Sequence, residues 1–125
     1  MLLQISAILA GLCVFLGAFA AHIIENSLPS NLLSTFKTAN YYMQWHTLAI
    51  ILTVLCQKSN LIRTSKPAIC FLTGILLFSG SLLLYVFTQI KWLVYITPIG
   101  GLLFMIGWVY FALSVINKSK KSRKG

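Results

Sequence analysis

Four apolar runs divide this chain, and polar positions gather between them where connections between helices are needed. The first run, Leu2 to Ile24, is interrupted only by Gln4, Ser6 and His22. At ~1.5 Å per residue its roughly 23 residues reach ~34 Å, enough to cross a bilayer. The second run is mixed. Thr47 to Cys56 is apolar but short, and only by starting at Ala39 does it reach about 18 residues, near the lower limit for a span. That start brings in Tyr41, Tyr42, Gln44, Trp45 and His46, and Tyr and Trp suit the headgroup level. The third and fourth runs, residues 68–87 and 97–116, are long and uninterrupted by charge. The pattern predicts an all-α fold, an integral membrane bundle of four transmembrane helices at about 2–24, 39–56, 68–87 and 97–116. Residues 117–125 form a basic tail expected to be disordered.

The connections carry their own signals. Residues 25–37 contain Pro29, and Ser30 is expected to cap a helical lead-in whose Leu32, Leu33 and Phe36 lie at the interface before the second span. The loop 57–66 is basic, and Pro67 fits the first turn of the third helix. After a short turn at 88–91, Trp92 and Tyr95 read as belt residues, and Thr97-Pro98 as N-cap and first position of the fourth helix.

Helical spacing then assigns faces. Gly17 and Ala18 close the first run and allow another backbone to approach. On the second helix Ala39, Tyr42, His46, Ala49 and Thr53 make a small and polar stripe expected to turn inward, leaving Ile50, Ile51 and Leu55 to lipid. On the third, Gly74, Ser81, Tyr85 and Thr88 share a side, and Gly80 between two serines permits tight packing. On the fourth, Thr97, Gly100, Phe104, Gly107 and Phe111 form the packing face. Glycine costs ~1 kcal/mol in a helix interior, which close approach in lipid can repay.

Composition agrees and adds orientation. Of 125 residues 58% are hydrophobic and 9% charged, against about 25% charged in soluble domains. Ten Lys and Arg oppose a single acid, Glu25, for a net charge of +9. The charges flank apolar runs and form no basic face interleaved with aromatics, so nucleic acid is not the expected partner; anionic lipid headgroups are. Lys58, Arg63, Lys66, Lys118, Lys120, Lys121, Arg123 and Lys124 fall on one side of four spans, with only Lys37 and Lys91 on the other. The positive-inside rule therefore predicts both termini in the cytoplasm of a multi-pass plasma-membrane protein. Ala18-Phe19-Ala20 resembles a signal-peptidase site, but there is no basic segment before the run, and further spans follow. Cys13, Cys56 and Cys70 form no C-x-x-C and are expected to pack as small apolar side chains.

Candidate chemistry gathers in the outward-facing half, where this topology places His22, Glu25, Tyr42, Gln44, His46, Ser81, Tyr85 and Thr97 at similar depth. Three readings stay open: a hydrogen-bond network that glues helices, a route for protons or a small solute, and a metal site built on His22-x-x-Glu25 with a distant histidine. The first is preferred, with no metal or cofactor expected. There is no paired-carboxylate site, Ser-His-Asp set, phosphate loop or thiol pair, so an enzyme is not expected. A small dimeric multidrug exporter relies on a carboxylate within its first span, and here none precedes Glu25. The preferred function is a non-enzymatic accessory or structural membrane component, free to associate with itself or another membrane protein.

Four blocks resemble the YgdD/YwdK-like family of small multi-pass membrane proteins. They are Gly17-Ala18-Phe19-Ala20-Ala21-His22, Thr38-Ala39 through Tyr42 to His46-Thr47-Leu48-Ala49, Phe78-Ser79-Gly80-Ser81-Leu82, and Thr97-Pro98-Ile99-Gly100-Gly101 with Gly107-Trp108. Departures are Ala20 in place of glycine, Ile23-Ile24 after the histidine, the order Tyr42-Met43-Gln44, and Leu83 with Tyr85 where a tyrosine commonly follows Gly-Ser-Leu. The resemblance implies an integral membrane protein and carries no activity with it.

Overall fold

The computed structural model describes the backbone of residues 1–122 and the side chains of residues 1–116. It contains four long helices: α1 (Leu2–Phe19), α2 (Ser30–Lys58), α3 (Lys66–Thr88) and α4 (Leu93–Ser122). A π-helical turn at Ala20–Ile24 extends α1. There is no strand among the described residues. Residues 117–122 of the expected tail continue α4, and residues 123–125 lie outside the described residues. Three segments, Leu2–Ile24, Lys66–Thr88 and Leu93–Ile116, are long and apolar enough to cross a membrane. With 29 residues α2 is long enough, but Asn40, Gln44, His46 and Thr47 dilute its apolar character.

The main contacts join consecutive helices, α1 to α2, α2 to α3 and α3 to α4. This row corrects one expectation. Ile50 does not face lipid; it is 1% exposed and packs in the core with Met43, Phe71 and Phe104. As an inner member of the row, α2 has a helix on two sides, so a single inward stripe does not suffice for it. Leu55 does lie exposed, as expected.

Two helix starts also differ from expectation. Ser30 is the first residue of α2 rather than its cap, and Pro29 occupies the cap with extended backbone. Leu32 and Phe36 are not an interfacial lead-in; they are buried in a second core with Ala20, Ile24 and Val86. The fourth helix begins at Leu93, so Thr97-Pro98 is not its start. Bonds from Leu93, Val94 and Tyr95 N–H to the carbonyls three residues earlier wind this lead-in. Pro98 then sits in the second turn, where its missing N–H leaves only the carbonyl of Val94 without its helical donor. The turn before α4 uses a left-handed residue, Gln89 (φ 55°), whose N–H closes on the Tyr85 carbonyl at 2.7 Å.

Candidate functional site

The α3–α4 contact sets the geometry around the only buried histidine. Glycine on each helix receives a phenylalanine from the other. A Cβ added at Gly74 would lie 2.5 Å from the Phe104 ring, and one at Gly107 would lie 2.6 Å from the Phe71 ring. One added at Gly100 would strike the Phe78 backbone. The expected roles of Gly100 and Gly107 hold on this face. Gly80 does not share it: the nearest atom to an added Cβ there is 3.9 Å away. Nor does Ala18 pack within the chain, since it is exposed, while Gly17 beside it faces the Asn40 amide.

These glycines bring α4 close enough to α3 for Phe104 to reach α2. Its ring lies 3.5 Å from the His46 ring, centroid to centroid, with planes 8° apart. Tyr42 is parallel to both rings within 11°, and Phe71 and Trp108 lie at 5.6 and 6.3 Å from His46. His46 Nδ1–H donates to the Tyr42 carbonyl at 2.8 Å. Its Nε2 accepts a long bond, 3.4 Å, from Trp108 Nε1–H. Both ring nitrogens are therefore engaged, which fixes one neutral tautomer. A groove of about 680 Å³ opens alongside, between His46, Tyr42 and Phe78 on one side and Pro98, Met105 and Trp108 on the other.

The other members of the expected cluster are distributed elsewhere. Ser81 and Thr97 bond each other at 2.8 Å and join α3 to α4. Glu25 pairs with Lys37 at 3.1 Å, with both side chains about half exposed. Tyr85 is partly buried against the second core. Gln44 is exposed on the α1 side of α2, where it lines a smaller groove with Cys13 and Thr47. His22 is exposed on the π-helical turn and makes no hydrogen bond among the described residues, whereas every partner of His46 lies on α2, α3 or α4. Among the described residues no three His, Cys, Asp or Glu side chains gather into a possible metal site. All three cysteines are free thiols.

Sequence reasoning missed Trp108 as a partner of His46, and it missed Asn40. The Trp108 signal was present: a tryptophan in the middle of a span, away from the interface, needs an acceptor for its indole N–H. Asn40 is 8% exposed and its Oδ1 has no partner, as is true of Thr47 Oγ1 and Ser79 Oγ.

A family model described as a protein of unknown function (DUF423) matches residues 16–101. The chain is 43% identical over 102 residues to a UPF0382 membrane protein of Haemophilus influenzae, covering 80% of this chain and 81% of that one. It is 36% identical to the UPF0382 membrane protein YwdK of Bacillus subtilis, covering 90% and 93%. It is 32% identical to the UPF0382 inner membrane protein YgdD of Escherichia coli, covering 99% and 93%. No solved structure matches.

Proposed function

Because the chain belongs to the DUF423 family of membrane proteins, we propose that it works in the plasma membrane by packing, as a non-enzymatic accessory component. All four helices cross the bilayer, and both termini are cytoplasmic. The steep asymmetry of basic residues supports that topology. Alternating up and down crossings also fit a row in which each helix packs on the next in sequence. On this topology the basic middle loop and tail meet anionic headgroups of the inner leaflet.

One observation carries the packing role. Of the candidate polar residues, His46, Ser81 and Thr97 are spent on bonds between helices instead of converging on a vacant point. His46 uses both nitrogens on Tyr42 and Trp108, and Ser81 is used on Thr97. A route for protons needs a chain of exchangeable groups across the bundle, and His22 stands apart from His46. In lipid, interhelical bonds of this kind contribute about 0.6 kcal/mol each on average, so their role is to set which helix faces which.

Proteoliposomes test this reading. Purified wild-type protein is expected to pass no more protons down an imposed pH gradient than protein-free vesicles. His46→Ala is expected to lose about 2 kcal/mol of unfolding stability, through the lost stack and bonds. Wild-type proton flux that disappears in His46→Ala would replace the packing role with transport. Reporter tags on both ends check the topology: either terminus found outside would overturn it.

A further inference from the structure

The α1–α2 contact is unlike the rest of the molecule, and from it we infer that α1 and the neighbouring edge of α2 form a face that pairs with a second copy of this chain. This rests on the packing role proposed above and names its partner. The small residues Ala7, Gly11 and Ala18 recur at helical spacing along one side of α1, interrupted by Val14, and all four are exposed. The bulky Ile8, Leu12 and Phe15 occupy a different exposed side. Lipid needs no small residues, whereas another helix backbone does. Gly11 has nothing within 4 Å of an added Cβ, so its smallness serves no contact inside the chain.

Beside this line lies a groove of about 240 Å³ between α1 and α2, lined in part by Ala10, Val14, Gln44 and Thr47. Two polar groups in it lack partners. Thr47 is 1% exposed, and its Oγ1 makes no hydrogen bond. Gln44 is exposed, and its amide makes none among the described residues. Gln44 lies midway along α2 and beside Cys13 midway along α1, deeper than the headgroup level that its aromatic neighbours suggest in the sequence; on the four-span topology it is in hydrocarbon, where an open amide costs several kcal/mol. A primary amide carries both a donor and an acceptor. Two Gln44 side chains across a two-fold axis can therefore close a reciprocal pair of N–H···O=C bonds, and a two-fold interface is self-complementary by construction. The small line on α1 then supplies the close approach that the amide pair requires.

The experiment is oxidative crosslinking in native membranes and in liposomes, using the full chain with Cys13, Cys56 and Cys70 replaced by alanine. Gly11→Cys is expected to give a two-chain product, while Phe15→Cys and Met105→Cys on α4 give none. In lipid titrations of the thiol-bearing chain, Gly11→Leu and Gln44→Leu are each expected to weaken dimerisation about tenfold or more, the loss of one good interhelical contact. Gly11→Leu should leave the monomer's unfolding midpoint unchanged. A monomer at every lipid dilution, a two-chain product through position 105 alone, or a dimer indifferent to both leucine variants would overturn the inference. A Gly11→Cys product with a different protein would overturn the second copy yet keep the packing role. No product from any of the three positions in native membranes would count against both.

Discussion

The α3–α4 and α1–α2 contacts are built from similar residue types, yet one is closed and the other is not. Between α3 and α4 each glycine is matched by a phenylalanine from the opposite helix, with no room for a methyl group at Gly74, Gly100 or Gly107. Across it Ser81 on α3 is paired with Thr97 on α4, although Ser79 on α3 keeps a buried hydroxyl without a partner. Between α1 and α2 the one glycine near the contact, Gly17, has an ordinary neighbour 3.5 Å from an added Cβ. Asn40 and Thr47 keep buried oxygens without partners. Small residues in a membrane helix thus serve two purposes. On α3 and α4 they let the chain pack on itself. On α1 they are left over, on the face proposed above to pair with a second copy.

This contrast ranks the expected effects of substitution. Gly100→Ala should cost most, about 3 kcal/mol, because the methyl group meets the Phe78 backbone, which cannot rotate away. Reversible unfolding in mixed detergent micelles measures it, and a loss below that of Gly107→Ala would dissolve the distinction between backbone and ring. Gly107→Ala follows at about 1–2 kcal/mol, since the Phe71 ring has some freedom to shift. The Ser81–Thr97 bond should give a coupling of about 0.6 kcal/mol in a double-mutant cycle with Ser81→Ala and Thr97→Val. A coupling of zero would mean that the pair adds nothing to α3–α4 adhesion. Smallest of all, Gly17→Ala on the α1–α2 side should change stability by no more than about 0.5 kcal/mol, since the added methyl group makes only a van der Waals contact with Asn40. A cost matching Gly107→Ala would erase the contrast between the two contacts.

Three of the helices are legible in the sequence because their apolar runs are long, whereas polar residues dilute α2 and its first turns, from Ser30, fall outside the expected span. Legible too is the glycine face of α4, whose Gly100 and Gly107 fall two turns apart on one side. What hid was rotation about the helix axis relative to neighbours. Gly17 and Ala18 are adjacent, but 100° separates them, so one faces Asn40 and the other lies exposed. The polar stripe of α2 points to Ile50 as lipid-facing, but a helix with two neighbours buries an apolar side as well. The polar cluster dispersed for the same reason. Depth along the membrane can be read from position in a run, but azimuth cannot. His22 and His46, expected in the same half of the membrane, do not share a site.

The account stands most directly on the equilibrium between one and two chains in a lipid bilayer, measured for wild type and Gly11→Leu at matched protein-to-lipid ratios. Wild type should dimerise as the protein-to-lipid ratio rises and dissociate on dilution with lipid. Gly11→Leu should remain a folded monomer with the wild-type unfolding midpoint. Equal dimerisation of the two chains, or a wild type that stays single at every ratio, would contradict it.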